Sequence, residues 1–150
     1  MALRPTVLML ALAACSRAPS TSGGDAVGPS AEAATYRVAL EPGPTAGALA
    51  VRLEARAPFH VNAEFPLSFA PDGASTVHFE GPRVALAPSE RTACEPQGGD
   101  TCALRAPLPF EAPRPGPARV SGTVSFSVCT PEHCLLHKQA LAQTLDIPGA

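Results

Sequence analysis

Arg119-Val120-Ser121-Gly122-Thr123-Val124-Ser125-Phe126-Ser127-Val128-Cys129-Thr130-Pro131-Glu132-His133-Cys134 decides how this chain folds. Its first ten residues alternate. Val120, Val124, Phe126 and Val128 share one parity, and Arg119, Ser121, Thr123, Ser125 and Ser127 share the other. A period of two marks a β-strand with one face in a core. Cys129 has the parity of the serines and is expected to lean toward solvent as the strand ends. Thr130-Pro131-Glu132-His133 reads as a tight turn, with Pro131 setting φ at its second position. Such a turn can bring Cys129 and Cys134 within the roughly 4.4–6.8 Å Cα separation that a disulfide spans. His133 directly precedes Cys134, and an imidazole beside a thiol can raise its thiolate content. Cys129, Cys134 and His133 are therefore the candidate catalytic residues of a redox centre. A solvated turn residue is the simpler reading of His133 taken alone.

Outward from this stretch, short alternating runs recur. They lie at Tyr36 to Leu40, Leu49 to Leu53, Leu67 to Phe69, Val77 to Phe79, Val84 to Leu86 and Leu104 to Phe110. Pro107 and Pro109 cannot donate ladder hydrogen bonds, so the last of these is expected at a sheet edge. Leu135 to Leu145 contains good helix formers. Leu141, Leu145 and Ile147, with Thr144 and Asp146 turned outward, fit a strand that folds back onto Arg119 to Val128. The strand is preferred, and a helix starting near Cys134 is the alternative. About seven or eight short strands with frequent turn signals indicate an all-β, immunoglobulin-like antiparallel β-sandwich.

The whole chain of 150 residues supports one domain. Its net charge of −2 offers no basic field, which argues against nucleic acid as a partner. Eighteen prolines and twelve glycines favour short elements joined by turns over long helices. Residues 1–14 read as a lipoprotein signal peptide. Arg4 supplies a positive start, and Val7 to Leu12 is an apolar run too short to span a bilayer. The run ends in Leu12-Ala13-Ala14-Cys15, which resembles the lipobox of bacterial lipoproteins and marks Cys15 as the lipidated first residue of the mature chain. An ordinary secretory signal with a chance cysteine is the alternative. Both imply export to a compartment where disulfides persist. Ser16 to Ala34 is small and polar, and reads as a flexible tether with a reach of roughly 24 Å. The folded domain is expected over residues 35–150.

With Cys15 assigned to lipid, Cys94, Cys102, Cys129 and Cys134 remain, and four cysteines allow three pairings. The two local pairs are favoured because the Gly98-Gly99 loop and the proline turn can each close on themselves. The chain-entropy model gives about 2 kcal/mol for the Cys129–Cys134 loop and about 2.6 kcal/mol for Cys94–Cys102. A Cys94–Cys129 bridge would give nearly 4 kcal/mol (about 3.8). A purely structural design gains more from that longer bridge, which tilts the reading toward one functional local pair. Cys94 and Cys102 are read as the structural disulfide.

The unit from Gly122 to Cys129, a short turn, Cys134 and a closing strand resembles the periplasmic N-terminal domain of the DsbD thiol:disulfide interchange family. Ala57-Pro58-Phe59-His60-Val61-Asn62-Ala63-Glu64-Phe65-Pro66-Leu67 is similar to the segment leading into that domain's middle strands. The resemblance spans roughly Thr35 to Ile147. It departs from the family pattern in having four residues between the cysteines where five are usual, and Leu135-Leu136-His137 in place of Tyr-Pro-Pro. The loop that shields the family's active site falls at Pro88 to Cys102. The resemblance implies an immunoglobulin-like fold and a relay of electrons through the cysteine pair to periplasmic thiol-disulfide proteins, with no cofactor. It also implies that Cys134 forms the mixed disulfide with a partner and that Cys129 resolves it. The expected location is the periplasmic side of a bacterial membrane, held by the lipid.

Two other readings stand beside this one. A non-catalytic binding or assembly lipoprotein would use both disulfides only as staples. A copper- or zinc-binding lipoprotein would draw on Cys129, His133, Cys134 and His137, which are soft or borderline ligands close in sequence. His60 and His78 have no evident partner in the sequence and read as surface or loop residues. The apolar run ending in Leu12-Ala13-Ala14-Cys15 predicts that membrane-extracted protein carries acyl mass on Cys15. Mass spectrometry finding an unmodified N-terminus elsewhere would refute it.

Overall fold

The computed structural model describes residues 27–96 and 98–149. Residues 1–14, read as a signal peptide, Cys15, read as lipidated, and most of the stretch read as tether lie outside that range. Ten strands form one antiparallel sheet, with no helix among the described residues. They are β1 (Ser30–Glu32), β2 (Tyr36–Pro42), β3 (Leu49–Ala55), β4 (His60–Val61), β5 (Ser68–Pro71), β6 (Val84–Ala85), β7 (Glu90–Ala93), β8 (Thr101–Leu108), β9 (Gly116–Cys129) and β10 (Cys134–Ile147). Along the sheet the order is β1-β2-β3-β8-β4-β9-β5-β6. β10 lies on β9, and β7 on β8.

The sheet curls over so that its distant parts meet. Tyr36 of β2 packs edge-on to Phe126 of β9, with ring centroids 4.8 Å apart. Its hydroxyl donates to Gln139 Oε1 of β10 at 2.9 Å. The fold is thus all-β and sandwich-like, and alternation supplies the core. Val38, Val51, Leu53, Val120, Val124 and Val128 are fully buried, as are Phe69 and Phe126. Gly122 marks the tightest crossing. A Cβ there would lie 2.6 Å from Phe69 Cζ and against the Ala70 carbonyl, so only a residue without a side chain lets β5 lie beside β9.

The segment after Cys134 is a strand, as preferred. It pairs with β9 from Cys134↔Cys129 to Ile147↔Gly116. Other expectations are corrected. The end of the stretch read as tether is β1, which pairs with β2 through Ser30↔Ala39. Gly28 just before it accepts a bond from Ala142 N–H of β10 at 2.8 Å. Val77 and Phe79 do not form a strand. They flank an isolated His78–Glu111 bridge, while Phe79 packs on Phe69 and Phe110. β7 has no hydrophobic alternation, and all four of its residues are exposed, so no periodicity announced it.

β8 is interior, not an edge. It pairs with β3 and, past the end of β3, with β4 on one side, and with β7 on the other. Arg105 carbonyl accepts from Ser89 N–H, so Arg105 and, two residues on, Pro107 turn their backbone groups toward the β7 side. β7 has ended there, so the missing N–H of Pro107 costs no ladder bond.

Cys129 does not lean into solvent, being only 5% exposed. Ser121, Ser125 and Ser127 are buried with it. Their face is the outer one, but a serine barely rises above the backbone. Leu136 and Lys138 stand directly across from Ser127 and Ser125, and β4 and β5 flank the other side. Longer neighbours shield the small residues, so alternation in polarity does not become alternation in exposure.

His137 lies on the inner face against Tyr36 and Phe126, with centroids at 4.6 and 5.4 Å. Its buried Nε2 has no hydrogen-bond partner. Burial pushes the imidazole below its ordinary value. The unfolded chain then binds the proton more readily than the native one. The stabilising contribution of the neutral ring is complete above about pH 6.5 and is lost progressively below it, down to the depressed native value. Denaturant melts of wild type and His137→Phe from pH 7.5 to 5 should show a shallower acid loss in the variant. Parallel curves would remove His137 from the account.

Candidate redox site

The long hairpin of β9 and β10 ends in the pair Cys129↔Cys134. Thr130 N–H donates to the His133 carbonyl at 2.8 Å and closes the turn. Thr130 Oγ1 accepts from the Glu132 and His133 N–H groups, both at 3.3 Å. The rung beyond this closed pair is a non-hydrogen-bonded one, where facing side chains come closest. The two Cα atoms are 4.0 Å apart, and the sulfurs form a disulfide. Cys94 and Cys102 form the second disulfide, with Cα atoms 4.8 Å apart. Both local pairings are present.

The Cys129–Cys134 pair is asymmetric in exposure. Cys129 is buried beneath its strand neighbours, whereas Cys134 is exposed. They border an open cleft of about 550 Å³. Its walls are the segment from His60 to Glu64, the Thr130-Pro131 turn, Arg91 of β7, and Gly99, Asp100 and Thr101 from the loop closed by Cys94–Cys102. The second disulfide therefore shapes the rim of the first one's cleft.

His60 is in register with Cys129, so the two side chains share the outer face. Its Nδ1 lies 3.6 Å from Asp100 Oδ2. The reading of His60 as unpartnered is corrected. The signal was its position on β4, a two-residue strand too short to show periodicity. Asn62, also missed, sits beside the cysteine pair. Its Nδ2 is 3.9 Å from Cys134 Sγ, within reach of a weak N–H···S contact.

His133 is placed in the turn, with Nδ1 3.3 Å from Thr130 Oγ1 and its ring edge-on to Phe59 at 6.2 Å. It forms no hydrogen bond with either sulfur. The metal-ligand grouping is not assembled. His137 faces the core, both cysteine sulfurs are in the disulfide, and no cluster of three or more His, Cys, Asp or Glu residues suited to a metal exists among the described residues. His78 is in the bridge to Glu111, away from the cleft.

Comparison with protein-family models, curated proteins and solved structures finds no match for this chain. The chemistry therefore rests on geometry. One sulfur of the disulfide is open to an incoming thiolate and the other is shielded. After mild reduction, limiting iodoacetamide should label Cys134 well ahead of Cys129. Equal labelling in a peptide map would contradict the asymmetry.

Proposed function

We propose that the protein is an exported, lipid-anchored thiol-disulfide exchange protein, passing electrons through Cys129 and Cys134 to periplasmic partners. The observation that carries this reading is the unequal exposure of the two sulfurs at the cleft. The Cys134 thiolate attacks one sulfur of a partner disulfide. The Cys134–partner bond forms as the partner's bond breaks, and one partner thiolate leaves. Cys129 then attacks Cys134 Sγ, re-forms the internal disulfide and releases the second partner thiolate. Two electrons pass to the partner, and its two sulfurs take up protons from water. A shielded Cys129 suits the second step, because only Cys134 lies within its reach. The resemblance to the DsbD N-terminal domain supports the same assignment of roles and an immunoglobulin-like form for the sandwich.

The staple reading is weakened by loop size. The bridge closes only the short turn between neighbouring strands, so it restricts the unfolded chain less than a longer bridge would. Trapping in cells tests the proposal. Cys129→Ala should accumulate mixed disulfides through Cys134, and Cys134→Ala should not. A glutathione titration should reduce Cys129–Cys134 at a potential above about −300 mV. A pair that stays oxidised there and traps nothing is a staple, and the protein would then be a binding or assembly module.

A further inference from the structure

Asn62 is held by three bonds that leave one group unspent. Its N–H donates to the Ser127 carbonyl at 2.9 Å, anchoring it beside β9. Its carbonyl accepts from Phe65 N–H at 3.3 Å. Its side-chain Oδ1 accepts from Glu64 N–H at 3.1 Å. This last bond fixes which end of the amide is which, because a backbone N–H must face the oxygen. The remaining end, Nδ2, is therefore the one that lies toward Cys134 Sγ, 3.9 Å away, with an N–H to offer it. A disulfide sulfur is a poor acceptor, but a thiolate is a strong one.

We propose that Asn62 is the thiolate donor of the exchange centre: its Nδ2 hydrogen-bonds the Cys134 sulfur when the disulfide opens and negative charge collects there. The inference rests on the exchange reading of the Cys129–Cys134 pair and adds a residue to it. When the Cys134–partner bond is attacked by Cys129, the electron pair of the breaking bond goes to the partner sulfur. When a small thiolate opens the oxidised protein at the exposed Cys134 sulfur, the pair first goes to Cys129. A second small thiolate then attacks its own kind's sulfur in the mixed disulfide, the pair goes to Cys134, and Asn62 stabilises that leaving group. In the reduced protein the same bond favours the thiolate over the thiol, and so the dithiol form over the disulfide. The amide is preorganised by the turn, so little side-chain entropy is lost when the bond tightens.

The test uses the full chain carrying Cys129→Ala, in which Cys134 is free, with and without changes at Asn62. Asn62→Asp keeps the oxygen that accepts from Glu64 but replaces the donor with negative charge. Asn62→Ala removes the donor without adding charge. The pH profile of iodoacetamide alkylation should move upward in both, further in Asn62→Asp. Alkylation near pH 7 should slow about tenfold in Asn62→Asp, from thiolate depletion. At high pH the rates should converge with the parent, which a merely structural defect would not produce. In the two-cysteine protein, Asn62→Asp should shift the glutathione equilibrium toward the disulfide. An unmoved profile in both variants, or a downward shift in Asn62→Ala, overturns the inference. Because alkylation is read in a free thiol, that result stands apart from partner trapping. Failure of the parent to exchange with glutathione or trap partners sinks the exchange reading instead.

Discussion

The ladder between β9 and β10 runs the full length of both strands and finishes at Cys129↔Cys134. Everything around the cleft is referenced to β9. On its other side β4 and β5 pair with it, which places His60 beside Cys129 and brings Phe69 against Gly122. Antiparallel register permits no half-steps, since a slip of one residue would exchange the valine face for the serine face. Val120, Val124, Phe126 and Val128 all need the interior, so hydrophobic burial fixes the alignment that sets the two sulfurs opposite each other. The chemistry at the tip is positioned by the core several residues away.

Much of this was legible in the sequence. β9, β2 and β3 each carry enough alternating large apolar residues to announce themselves, and the turn between the cysteines follows from Thr130-Pro131 and the register it permits. What was not legible has common physical causes. β4 has two residues, too few for a period of two. β7 is wholly exposed and held by its ladder to β8, a cause that leaves no mark in its own hydropathy. Proline in β8 reads as an edge signal because composition cannot say where a neighbouring strand stops. The burial of Cys129 depends on the size of side chains in adjacent strands, which no single strand reveals. Asn62 and His60 were missed for a related reason: their partners, Cys134 and Asp100, are far along the chain and meet them only across the sheet.

The site also shows how the two disulfides divide their work. Cys94–Cys102 ties down the hairpin-like loop between β7 and β8, where Cys94 N–H bonds the Asp100 carbonyl at 2.9 Å. That loop is polar and glycine-rich and has no core of its own. The covalent link supplies order where apolar contact cannot, and in doing so presents Asp100 to His60. The cleft around Cys129–Cys134 is therefore walled by backbone held from three directions: a ladder, a turn and a closed loop.

The bond between Ala142 N–H and the Gly28 carbonyl fixes where the described chain enters the domain. Along β10, that point is about 27 Å from Cys134 at roughly 3.4 Å per residue. Entry and cleft thus lie well apart along β10. The mouth of the cleft is accordingly clear of the point at which the described chain joins the domain.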